Sequence, residues 1–167
     1  MHRTHSDSTG QKQQYVVNTD KLPLPYARWE VKEHRAIGKL QLELRHGQLF
    51  ANDSPVIRYL SDRQKKQGMQ AGESLRRELP DRPTLNATVR DFLIANPELI
   101  PEDWKHHETC FWGTIFRSLP VEGFSGSAVA YLLWNKEYRC WNSHIYLHYF
   151  GVVFGAYDSA AMLIKLA

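Results

Sequence analysis

A chain of 167 residues, 43% hydrophobic and 23% charged, has the make-up of one packed domain and excludes a wholly disordered protein. At this length folding buries roughly two-thirds of the unfolded surface, so no covalent staple is required. The formal charge of +3 is unevenly spread. Residues 1–83 carry 15 Lys/Arg against 10 Asp/Glu, and residues 84–167 carry 6 against 8. Aromatic residues run the other way, 5 in the first stretch and 15 in the second, so the core is expected in the second half.

No apolar run approaches the roughly 20 residues of a membrane span, and the polar opening residues lack the apolar stretch of a secretory signal. A cytoplasmic location, no membrane, and two reduced thiols at Cys110 and Cys140 are therefore expected. Residues 1–14 read as a disordered tail and 15–167 as one domain.

From Tyr15 to Pro25 the prolines Pro23 and Pro25 keep the backbone irregular. Residues 26–60 then read as β-rich. A short strand is expected around Arg28–Val31. Lys39–Arg45 alternates strictly, with Leu40, Leu42 and Leu44 on one face, which predicts a half-buried strand. The pairs His46-Gly47 and Asn52-Asp53 are turn signals, so Gln48–Ala51 and Val56–Leu60 complete a meander. Ser61–Gln70 is polar and is expected to be a loop.

Residues 71–104 read as helical. Gly72–Leu79 is a short helix. Thr84–Ala95 is the better one, with Leu85, Val89, Phe92 and Leu93 in one stripe and Thr84 as its expected N-cap. Pro101–Trp104 predicts a single turn. Residues 109–155 return to strands. Thr109–Arg117 and Val129–Trp134 look buried on both faces, Leu119–Ser127 is a loop, and Arg139–Phe150 is a long aromatic strand. A terminal helix is expected over 158–166, capped by Asp158. The fold class is thus α+β: an N-terminal β-meander, two short central helices, a C-terminal antiparallel β-meander and a terminal helix.

The stretches Leu85-Asn86-Ala87, Asp91-Phe92-Leu93, Ala95–Lys105, Phe111–Arg117 and Tyr131–Asn135 resemble a group of uncharacterised bacterial proteins. In that group a helix ending "ANPxLIPExWK" precedes "FFWGTIYR" and "VRYLYWN". The similarity spans about Val56 to Ala161 and departs after Asn135. There the group is rich in Gly, Trp and Asp, whereas Arg139–Tyr149 carries Cys, His and Tyr. The resemblance implies a bacterial or mobile-element origin and brings no activity with it.

Four residue sets could carry chemistry. His144 and His148 are four apart, but on a strand that separation is roughly 13 Å, too far to share one ion unaided. No metal and no cofactor is therefore assigned. Cys110 and Cys140 each have histidines nearby in sequence, which alone does not make a nucleophile, and no catalytic residue is assigned. The cluster Arg58, Arg63, Lys65, Lys66, Arg76 and Arg77 could contact phosphates, diluted by Asp62, Glu73 and Glu78. The rings of Trp112, Trp134, Trp141, Tyr146 and Tyr149 exceed what few short helices can cover, so some are expected to face outward as interface anchors.

The leading expectation is a non-enzymatic interaction protein that binds a protein partner, or itself as a homo-oligomer, through this aromatic sheet face. Nucleic-acid binding by the basic face of residues 58–77 is the alternative. A small metal- or thiol-dependent enzyme is the third reading.

Overall fold

A computed structural model describes residues 15–79, 81–119, 126–148 and 152–164, for 146–148 the backbone only. The expected tail 1–14, most of the 119–127 loop and the last residues of the expected terminal helix lie outside the described residues.

Strand accounts for 49% and helix for 22% of the described residues, so the α+β class holds with the balance toward β. Strands β1 (Tyr15–Asn18), β2 (Trp29–His34), β3 (Lys39–Arg45), β4 (Gln48–Ala51) and β5 (Ser54–Tyr59) come first. Three helices follow, α1 (Asp62–Gln67), α2 (Gly72–Glu78) and α3 (Ala87–Ala95), with a three-residue strand β6 (Met69–Ala71) between the first two. Two 3-10 turns, Pro97–Leu99 and Glu102–His106, lead into β7 (Glu108–Ser118), β8 (Ser127–Asn135), β9 (Cys140–His148), β10 (Val153–Gly155) and β11 (Asp158–Leu163).

Nine strands form one curled sheet in the order β1-β3-β4-β5-β11-β7-β8-β9, with β2 also paired to β7. The meander forms because both its turns are built for it. His46 and Gly47 have φ of 48° and 79°, and Asn52 and Asp53 have 47° and 63°. Two consecutive left-handed residues make the mirror-image turn that matches strand twist. Asn52 reinforces its turn by accepting from Gln41 N and donating to Lys39 O.

Each face of the sheet carries its own core. On one, Leu40, Leu42, Leu49, Val56, Phe111, Phe116, Ala130 and Leu132 wrap around Val89 and Leu93 of α3, with Leu99, Ile100 and Trp104 closing the cluster. On the other, Cys110, Trp112, Ile115, Val129, Ala160 and Met162 are covered by Leu75 and Leu79 of α2 and by Phe154 of β10. The sheet is therefore clothed on both sides more fully than a count of helices suggests, because the β6–β10 pair acts as cover.

The two faces stay in phase through an irregularity in β7. Phe111 pairs with Ala130 and Ile115 with Val129, so Trp112, Gly113 and Thr114 have no partner on β8. An odd number of inserted residues reverses the alternation, which puts Ile115 with Trp112 on the second face and Phe116 with Phe111 on the first. The other edge of β7 pairs with β11 through residues 108–110 and with β2 through 114–118. In the gap between them, Gly113 N donates to Leu85 O (2.9 Å) and Gly113 O accepts from Arg35 N (2.7 Å).

Several expectations are corrected. Residues 158–163 form a strand, not the start of a terminal helix. Ala160 and Ala161 are good helix formers, but the slot between β5 and β7 offers an open ladder on both sides, and small side chains suit a strand packed on both faces. Because β11 runs parallel to β7, the C-terminal sheet is not wholly antiparallel. The polar stretch 61–70 is a capped helix and a strand: Ser61 and Gln64 form a reciprocal capping box, and Gly68 closes α1 at φ 76°. Helices thus number three among the described residues. The N-cap of α3 is Asn86, two residues later than expected.

Candidate functional site

The end of the β8–β9 hairpin lies against the C-terminus of α3 and the two 3-10 turns. Trp134 and Trp141 are register partners, so both indoles project from the same face at the end of the ladder. Their ring centroids are 5.3 Å apart at 67°, an edge-to-face pair. Lys105 places Nζ 4.1 Å from the centre of the Trp134 ring and 2.6 Å from Glu102 Oε1. Both tryptophans are half-buried. Together with Ile94, Pro97 and Ile100 they line an open groove of about 440 Å³, bordered by Lys105, Arg139 and Cys140.

The turn at the tip of this hairpin is set by Asn135, whose Oδ1 accepts from Glu137 N and Tyr138 N (both 3.0 Å). Arg139 then takes φ 52° to return the chain to β9. Tyr138 is 72% exposed. Neither Lys136 nor Arg139 makes an ion pair among the described residues, and both side chains are exposed.

The structure divides the five aromatic candidates. Trp134 and Trp141 come together at the groove. Trp112 is a correction: it is 6% exposed, packed 5.1 Å from the Phe154 ring in the second core, because α2 and β10 cover that face. Tyr146, on β9, pairs with Val129 of β8, its side chain being outside the described set, and Tyr149 lies outside the described residues. Sequence reading missed Lys105, Arg139 and the apolar floor, which come from four separate elements. The one local signal was the turn sequence Asn135–Tyr138.

The basic candidates do not form a free patch. Arg58 pairs with Asp103 at 2.9 Å, Arg76 with Glu33, Arg77 with Glu73 at 3.8 Å, and Lys65 with Asp62 at 3.7 Å. Arg63 donates to Gln67, and Lys66 stands exposed beside it on α1. Exposed pairs of this kind contribute little to stability, but they cancel local potential.

The thiols do not meet. Cys110 is on β7 and Cys140 on β9, with β8 between them, whereas a disulfide needs Cα atoms within about 7 Å. Burial, helped by the carboxylates of Asp158 and Glu108, pushes the Cys110 thiol well up, the opposite of what a nucleophile requires. Exposed Cys140 donates to Asn142 Oδ1 at 3.5 Å. His144 is exposed and lies 5.8 Å from the Tyr131 ring. Among the described residues no group of three potential metal ligands occurs, and none of their helices is long and apolar enough to cross a membrane.

A second groove of about 420 Å³ runs along β1, between Val16, Leu22, Leu24 and Phe92. Its acid, Asp91, is already engaged by Arg90 (2.5 Å) and by the backbone N–H of Leu24 (2.8 Å). It is an apolar crevice without a free charge of that sign.

Glu108 and Asp158 face each other across the parallel β11–β7 pair. Burial, then the neighbouring Asp158 carboxylate, raises the Glu108 pKa above its usual 4.5. The fold favours protonated Glu108, so that contribution is present at low pH and is lost as pH rises through the raised value. Glu108→Gln should therefore raise the melting temperature near pH 7.5 and change it little near pH 4. Equal effects at both pH values would refute the coupling.

Comparisons of the chain with protein-family models, with curated proteins and with solved structures return no match.

Proposed function

We propose that the protein is a non-enzymatic binding protein whose docking site is the groove at the end of the β8–β9 hairpin. The observation that carries this reading is the pair Trp134 and Trp141, two half-buried indoles side by side on an open groove. Large rings held in a fixed arrangement supply contact area at little entropic cost, which is why Trp dominates interface hot spots. A groove of this volume accommodates a few side chains of a partner. The half-buried pair stands at one end of the sheet face, while Trp112 is sealed in the second core.

The nucleic-acid alternative loses weight because four of its six cations have acids beside them. Thiol catalysis by Cys110 is opposed by its burial.

The test is to pan a phage-displayed random decapeptide library on the full chain and repeat capture with Trp134→Ala. That substitution removes one edge-to-face contact and one cation–π contact, together about 1–3 kcal/mol, so the variant should remain folded. Captured clones should be lost with it. An unfolded variant would place the ring in the core and end this reading.

A further inference from the structure

Resting on the groove as the binding site, we infer that its occupant is an acidic extended peptide segment. Such a segment lies along the free edge of β9, seats a large apolar side chain over Trp134 and Trp141, and gives a carboxylate to Arg139. Three observations converge. First, β9 pairs with β8 alone among the described residues, so it ends the sheet as a nine-residue edge strand, with His144 O in reach of Arg90 Nη1 at 3.5 Å. An extended peptide completes such an edge through main-chain hydrogen bonds, and pockets at alternate side chains confer choice of sequence. The groove opens beside Cys140 and Trp141, the first residues of that strand.

Second, the floor is apolar, with Ile94, Pro97, Ile100 and the two indoles, and asks for a large apolar side chain. Third, the rim charge is positive. Lys105 is balanced by Glu102. Arg139 and Lys136 stand at the hairpin tip without ion pairs, and Glu137 is the single acid between them. A planar guanidinium at the mouth of an apolar groove is suited to two-point capture of a carboxylate. A nucleic-acid strand is a poorer fit, because backbone tracking needs a run of cations along the path and the tip supplies two.

Arg139 is also a residue that the backbone would exchange for glycine, since φ 52° is the left-handed region. That gives a clean test. Sequences enriched by panning should combine Asp or Glu with Trp, Phe or Leu. A synthetic peptide of the enriched sequence should bind the full chain, measured by fluorescence anisotropy, and weaken by about tenfold when its acids become lysines. Arg139→Gly should weaken the peptide by a similar factor while melting no lower than the parent, and Arg139→Lys should restore part of the loss.

Enriched sequences without acids, still dependent on Trp134, would overturn the acidic peptide and leave the groove as a binding site. No enrichment at all would remove both. Binding unaffected by Arg139→Gly, or tighter binding of an oligothymidine in competition, would overturn the inference. So would a dimer seen by light scattering that Trp134→Ala dissolves, since a second copy would then be the occupant.

Discussion

Gly113→Ala should abolish folding at moderate temperature or lower stability by about 3 kcal/mol, the upper range for forcing atoms into a filled interior. An added Cβ at this position would meet Leu85 O at 2.8 Å, Asn86 Cα at 2.9 Å and Asn86 N at 2.9 Å. All three are backbone atoms, so no rotamer change relieves the contact. Nor can the backbone retreat. Gly113 N bonds to Leu85 O, Leu85 N bonds to Ala161 O, and Gly113 O accepts from Arg35 N, which fixes four segments at one point. The need for glycine here is one of space, created where the entry to α3 crosses the irregular stretch of β7. Equilibrium denaturation decides the matter: a loss below about 1 kcal/mol would mean that these backbones are not in contact.

The same crossing explains what could and could not be read from sequence. Lys39–Arg45 was legible because every signal that makes it a strand is local: alternation, and turn residues on either side. The stripe of α3 was legible for the same reason. The fate of 158–163 was not, since a run such as Ala160-Ala161-Met162-Leu163 becomes a strand only because β5 and β7, both distant from it in the chain, leave a slot between them. The polar stretch 61–70 misled because polarity suggested a loop, while Ser61 and Gln64 are buried as a capping box and Gln64 Nε2 donates to the carbonyls of Gly155 and Asp158. At the candidate site the two tryptophans could be picked out as large rings near a turn. The exclusion of Trp112 could not, because its cover comes from α2 and β10, which are distant in sequence. Lys105 and Arg139 gain meaning only once the 3-10 turns sit against the hairpin. Leu85-Asn86-Ala87 and Trp112-Gly113-Thr114 are the two sides of the backbone crossing, so these segments specify architecture.

Asn86→Ala should rank second in severity, at about 3 kcal/mol, with no exposed partner to soften it. Asn86 is fully buried, and its amide serves two ends. Oδ1 accepts from Val89 N at 3.3 Å and caps α3, a contribution of about 1 kcal/mol. Nδ2 donates to Arg35 O at 2.8 Å and Thr19 O at 3.0 Å, tying the strand exits of β1 and β2 to the start of the helix. Truncation leaves these buried groups short of partners, at about 1–3 kcal/mol for each one not otherwise satisfied. Thr19 O keeps one, because His34 Nε2 donates to it at 2.8 Å, which leaves His34 Nδ1 to accept from the Thr114 hydroxyl at 2.9 Å. Thr114 Oγ1 in turn accepts from Ala87 N at 3.0 Å. The network is therefore closed on itself, and each member holds a neighbour in a fixed tautomer or rotamer. Asn86→Asp separates the two halves of the role. It preserves the cap but replaces a donor by an anion facing two carbonyls, so it should be at least as damaging as alanine near pH 7. Denaturation curves of the two variants decide: if the aspartate matches the parent, capping alone accounts for Asn86 and the crossing is held by the backbone contacts of Gly113.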